Sequence, residues 1–319
     1  MSLRVENAQK TLRDRVTVSG IGVHSGKPVS MALCPADPDT GIVFVRTNLS
    51  GSADVEIPAI SSSVSGTQLC TILGNPAGAF VATVEHLMAA LSAMGIDNLS
   101  IEIDGPEAPI MDGCAEAFVD AIDQTGLEVQ KAKRRFIRVV KPIRIEDGDG
   151  YAEFRPYEGR RFEAIIDYDC EVIGRQELDV ELTASSFRRE ISRARTFGYM
   201  RDVERLWEAG YALGSSLDNS VVISEEGVVN PEGLRQPDEF VRHKILDAIG
   251  DLALAGAPIL GLFRSFKGGH RINALALQAL LEDESAYRVV TFGDERAERS
   301  EGQADVLPGL MAAAYAPDR

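Results

Sequence analysis

Strands come before helices in this chain, and the order runs through twice. That succession constrains the fold more than composition does, because it describes an α+β protein rather than an alternating β/α one. In the first third, Val16 to Ser19, Val29 to Leu33 and Gly41 to Arg46 alternate or carry β-branched residues, and Gly20, Gly22, Gly26 and Pro28 punctuate them. Thr83 to Met94 reads as an apolar helix ended by Gly95, Leu99 to Ile103 as a strand, and Ala115 to Gln124 as a helix closed by Gly126. Strands resume at Phe136 to Val140, Tyr151 to Arg155 and Phe162 to Tyr168. Helices follow at Asp202 to Glu208 and Asp238 to Leu254, then a strand at Ile259 to Phe266 and a helix from about Asn273. No residue-level repeat accompanies the repeated order.

A chain of 319 residues suffices for two domains with separate cores. The basic run Lys131-Ala132-Lys133-Arg134-Arg135 reads as a solvated connector, with its arginines as a weaker candidate for an anionic ligand. It divides the chain into a first domain at 1–130 and a second at 131–298. Gly293 to Arg319 is charged up to Asp305 and then small and apolar, and 299–319 is expected to be a flexible tail.

The net charge of −16 argues against nucleic acid, whose phosphates need a basic surface. Met1 to Val16 lacks the apolar run of a secretory signal, and the most apolar stretch, Leu252 to Phe263, is 12 residues long and contains Pro258. Such a stretch is too short for a membrane span. Cys34, Cys70, Cys114 and Cys170 form no C-x-x-C pair, so neither a zinc knuckle nor a disulfide framework is indicated. A soluble, reduced, cytoplasmic protein is expected.

The helix over Asp238 to Leu254 carries the clearest chemistry. His243 and Asp247 are four residues apart and project from one side, with Asp251 a further turn along. Val241, Ile245, Ala248, Ile249 and Leu252 gather on roughly the opposite side. A polar stripe facing away from an apolar one is ordinarily just solvated, and H-x-x-x-D alone is a weak signal. His86, directly after Glu85, offers a third metal ligand beside a candidate general base, and three protein ligands plus water is the usual catalytic zinc count. Lys267-Gly268-Gly269-His270 places another imidazole on a glycine-flanked turn after a strand, where it would be exposed.

Six segments, taken together, resemble the zinc-dependent UDP-3-O-acyl-N-acetylglucosamine deacetylase family of lipid A synthesis. They are Ser19 to Gly26, Thr83 to Leu87, Pro109 to Gly113, Ser192 to Gly198, Phe240 to Leu252 and Gly268 to His270, in the family's order. All four histidines fall in the matching segments or beside them. The resemblance implies two domains that each pair a β-sheet with helices, an active site at their interface, and a small β-α-β insert in the second domain. It implies one Zn2+ per chain, with Fe2+ as the alternative in the cell, held by His86, His243 and Asp247. Glu85 would be the general base, His270 the general acid oriented by Asp251, and Thr196 a stabiliser of the oxyanion. The substrate would be a UDP-sugar bearing an acyl chain, and a monomer is expected.

Hydrolysis of an amide at neutral pH needs activated water, a polarised carbonyl and a proton for the departing amine. Zinc lowers the pKa of water to about 7 and polarises an acyl oxygen. Glu85 would take the water's proton, and His270 as imidazolium would protonate the amine, giving a bell-shaped pH dependence. Lys244 is a candidate contact for the sugar or diphosphate. Phe197, Met200, Val203, Ala212, Ser216 and Val222 are candidates for an apolar acyl passage, although periodicity alone fits ordinary core there. Two other readings compete: a zinc hydrolase of another class, weakened for peptidases by the absence of H-E-x-x-H, and a binding protein whose polar helix face is merely solvated.

Overall fold

The computed structural model describes residues 7–49 and 53–292, and the tail expected from residue 299 lies outside them. The fold is α+β with two domains and several sheets. The first half builds a five-stranded sheet in the order Val16–Ile21, Pro28–Pro35, Leu99–Ile103, Ile42–Arg46, Val55–Pro58. Only the pairing of Ile42–Arg46 with Leu99–Ile103 is parallel. The second half builds a seven-stranded sheet around Ile259–Phe266, which pairs with Gly150–Arg155, Arg160–Asp167 and Arg135–Val139.

Helices α1 (Glu85–Met94) and α2 (Glu116–Thr125) belong to the first half. The second carries the short turn α3 (Ala184–Ser186), α4 (Val203–Glu208), α5 (Glu239–Ala253) and α6 (His270–Glu282). Gly95 ends α1 as its sequence predicts, adopting a left-handed φ of 78° that costs glycine nothing. Nine of the ten α1 residues are buried, which explains why the helix has no polar face to read from sequence: it is surrounded. One apolar core runs from Met31, Phe44 and Ile101 of the first sheet through Leu87 and Leu91 of α1. It continues through Ile245 and Ile249 of α5 to Phe154 and Ile166 of the second sheet.

Two sequence expectations are corrected here. Residues 131–135 are no solvated connector: the strand Leu127–Lys133 pairs back onto Ala8–Leu12, and the next strand begins at Arg135. Arg134, between them, is buried with its Nε 2.7 Å from Asp97 Oδ1. A charged segment can be a strand when its partner lies more than a hundred residues away, because no local signal reports the pairing. The last helix, expected from Asn273, begins at His270. Its N-cap is Gly269 in extended conformation with no capping side chain, so the usual start signal is missing.

The insert is a β-α-β unit. Phe197–Tyr199 lies parallel to Val221–Ile223, and α4 fills the crossover between them.

Candidate active site

Helices α1 and α5 cross at a point that admits no side chain. A Cβ at Gly250 would lie 2.0 Å from the Glu85 carbonyl oxygen, so only glycine permits this approach. The crossing sets the start of α1, with Glu85 and His86, against the one side of α5 that carries His243, Asp247 and Asp251. All five residues are buried, each at most 4% exposed. The polar stripe of α5 is therefore interior rather than solvated, and its charges need partners there.

One ligand atom each from His86, His243 and Asp247 falls within 4.8 Å of the others. Asp247 Oδ1 lies 3.7 Å from His86 Nε2 and 3.3 Å from His243 Nε2. His243 Nδ1 sits 2.9 Å from the Ala194 carbonyl oxygen, which can only accept, so the proton is on Nδ1 and Nε2 keeps its lone pair. Asp247 divides its two oxygens. Oδ2 accepts from Lys244 Nζ at 3.0 Å, while Oδ1 is buried and accepts no hydrogen bond. The His243 Nε2 lone pair and the bare Asp247 Oδ1, with His86 Nε2 beside them, suit a divalent cation, and two imidazoles with one carboxylate is a common catalytic zinc set. The donor set fits such an ion.

The electrostatics agree with neutral imidazoles and an ionised carboxylate. Burial, reinforced by His243, pulls His86 down to about 3, and burial likewise lowers His243. For Asp247 burial opposes ionisation, but its cationic surroundings, the Lys244 ammonium among them, outweigh it and hold the group well below the usual carboxylate range.

Beside the cluster lies an acid–base pair. Glu85 Oε2 accepts from the Thr71 N–H at 3.1 Å, and burial pushes the Glu85 carboxyl up to about 7 against the pull of His270. His270 Nε2 is 3.8 Å from Glu85 Oε1, and its Nδ1 is 2.9 Å from Asp251 Oδ2. Burial disfavours the imidazolium, yet Asp251 and Glu85 together raise His270 to about 10. Its side chain is 11% exposed, so the expected exposed turn is replaced by a helix start that aims the ring inward.

Thr196 is half-buried and tied by backbone bonds to Gly113 and Val221. The Phe197 ring packs edge-on to His243 at 6.2 Å and to Phe240 at 4.9 Å, with Lys244 Nζ 5.5 Å from its centroid. Met200, Val203, Ala212, Ser216 and Val222 lie along the insert. Met200, at 49%, and Ser216 are exposed, and Val203, Ala212 and Val222 are half-buried. Trp207, Leu213 and Leu217, also in the insert, are exposed large apolar residues.

Four residues of this arrangement escape sequence reasoning. Thr71 donates its hydroxyl to Asp251 Oδ1 at 2.6 Å while its N–H serves Glu85, so one residue ties both sides of the pair. It is 180 positions from Asp251, and no local pattern marks it. Asn273 donates to Asp251 Oδ2 at 2.9 Å, and the Ala194 carbonyl fixes the His243 tautomer. His24, matched only as part of a segment, braces the insert: its carbonyl accepts from Leu213 N–H at 3.1 Å, and its ring meets Tyr211 edge-on at 5.5 Å.

Asp112, Cys114 and Glu116 form a second metal-competent group among the described residues. Arg235 lies 2.8 Å from Asp112, and burial pushes the Cys114 thiol up to about 12, so this group is already charge-compensated.

The family model for UDP-3-O-acyl N-acetylglycosamine deacetylase matches residues 9–282 of this chain. UDP-3-O-acyl-N-acetylglucosamine deacetylases of Brucella ovis and Brucella abortus are 56% identical to it over 283 residues, covering 88% of the chain and 98% of each relative. The same-named protein of Brucella melitensis biotype 2 is 55% identical over the same span.

Proposed function

The chain belongs to the UDP-3-O-acyl N-acetylglycosamine deacetylase family, and from that premise we propose that it hydrolyses the N-acetyl group of UDP-3-O-acyl-N-acetylglucosamine, the committed step of lipid A biosynthesis. The observation that carries the mechanistic part is the convergence of His86, His243 and Asp247, with Asp247 Oδ1 buried and accepting no hydrogen bond. These three residues would hold one Zn2+ per chain, with Fe2+ as the alternative in the cell. Bound there, the ion supplies Lewis acidity, lowering the pKa of water and polarising the acyl oxygen.

The chain's own residues do the rest. Glu85 takes a proton from the attacking water as the new C–O bond forms. His270, charged through Asp251, gives its proton to the nitrogen as the C–N bond breaks, releasing acetate and the free amine. The imidazolium and the Thr196 hydroxyl stabilise the negative oxygen between these steps. Lys244, held by Asp247 over the Phe197 ring, has donors to spare for the sugar or diphosphate. The insert, with Met200, Val203, Ala212, Ser216 and Val222, receives the acyl chain. Its concentration of exposed apolar residues supports that role.

Further parts of the reading are a division at 1–130 and 131–298, a monomer, and a cytoplasmic location. Among the described residues no helix is long and apolar enough to cross a membrane. The test is acetate release from UDP-3-O-acyl-N-acetylglucosamine by native, chelator-treated and zinc-restored protein. Release that vanishes on chelation and returns with zinc supports the reading. Absence of release from folded, zinc-loaded protein overturns it.

A further inference from the structure

A second cleft, with a volume of about 270 Å³, opens between the two halves and shares no lining residue with the metal cluster. Its floor is apolar: Met88 and Leu91 of α1, Ile249 and Leu252 of α5, and Phe162. Four arginines also line it, and three of them are compensated. Arg134 pairs with Asp97 at 2.7 Å, Arg135 with Asp39 at 3.6 Å, and Arg161 with Asp179 and Glu163.

Arg160 is different. Its Nη1 donates to the Ser92 carbonyl at 3.0 Å and its Nη2 to Ser92 Oγ at 2.7 Å, both neutral acceptors. Its Nε is buried with no partner. Among the described residues no carboxylate lies within ion-pairing distance of it, a notable condition in a chain of net charge −16. Burial, together with the like charge of Arg134, pulls its pKa down to about 9 against the attraction of Asp97. With no carboxylate in direct contact, a guanidinium in such a place has its desolvation only partly offset.

We propose that this cleft binds a small organic carboxylate with an apolar body, its head meeting Arg160 and its body lying on the α1–α5 floor. A single guanidinium without a paired carboxylate selects a singly charged head over a polyphosphate. The planar carboxylate matches the guanidinium fork, and the five apolar floor residues select a hydrocarbon body over a hydrophilic one. An occupant would rest on the two helices that carry the metal cluster, yet would touch none of its residues.

The proposal does not depend on the deacetylase reading, and neither readout that tests it involves acetate release. Crystals of the zinc-loaded full chain soaked with 8-bromooctanoate should show the bromine anomalous signal in this cleft. Calorimetry should show octanoate binding that weakens at least tenfold in Arg160→Gln and less in Arg160→Lys, with neutral octanol at least tenfold weaker than octanoate. Bromine found only at the metal cluster or in the insert would overturn the proposal, as would equal octanoate affinity in wild type and Arg160→Gln. Should Arg160→Gln fail to fold, the bromine position in the unaltered protein decides alone.

Discussion

Asp251 is bonded to three side chains, Thr71, Asn273 and His270, and each fixes a different part of the proposed acid–base geometry. His270 titrates near 10 instead of the ordinary 6.5 mainly because Asp251 overcomes the burial penalty. In the proposed mechanism the imidazolium is the working form, so activity dependent on it should be present below that pKa and lost as pH rises through it. The pair's contribution to stability has the same sign, complete below 6.5 and gone above about 10. Asp251→Asn should therefore move the alkaline limb of kcat/KM down by more than about one pH unit. A limb that stays in place would remove Asp251 from the role of holding the charge. Thr71→Val keeps the N–H to Glu85 but leaves Asp251 Oδ1 short of a donor, at a cost of about 1–3 kcal/mol in stability. As a positioning residue, Thr71 should cost about tenfold in kcat when changed to Val, with KM little altered and activity recovered in Thr71→Ser. Loss of stability with kcat intact would make Thr71 structural only.

Among the elements, the insert carries the sharpest prediction. Ala212 has a left-handed φ of 55°, donates its N–H to His24 Nδ1 at 3.4 Å and accepts from Trp207 Nε1 at 3.0 Å. A bulky side chain there, as in Ala212→Trp, should raise KM for long-acyl substrates about tenfold or more and leave short-acyl ones nearly unchanged. Equal effects on both would mark ordinary packing. How much of this was readable beforehand differs from element to element. The strands Leu99–Ile103 and Ile259–Phe266 and the helix α5 agree with periodicity and punctuation to within a residue. Arg175–Glu181 and Ile143–Asp147 escaped, because charged residues on the open face of an outer strand dilute the apolar alternation. Helical spacing put His243 beside Asp247, but nothing local could bring His86 to them. That meeting depends on the glycine crossing at Gly250, 165 residues after Glu85 by their numbers, and only the family resemblance anticipated it.

For the whole molecule, candidate ligands drawn from both halves mean that a metal held by them would also tie the halves together. Zinc at a hundredfold excess over its Kd should stabilise the native state by about 2.7 kcal/mol, read as a rise in Tm. His86→Ala should abolish most of that rise, although His86 lies in the half opposite to His243 and Asp247. A full zinc shift in His86→Ala would mean that α5 alone holds the ion.

The burial of α1 on nearly every side also bears on how the protein is made. Synthesis delivers the N-terminal half first, and α1 leaves the ribosome well before α5, which begins at Glu239. Until then the flank of α1 that packs on α5 has no cover. A fragment of residues 7–139 should accordingly bind a hydrophobic dye and aggregate where the full chain does neither; a quiet, monomeric fragment would show that the first half manages this wait alone. The completed protein thus hides a timetable, in which the helix that begins at Glu85 and His86 depends for protection on one of the last helices to arrive.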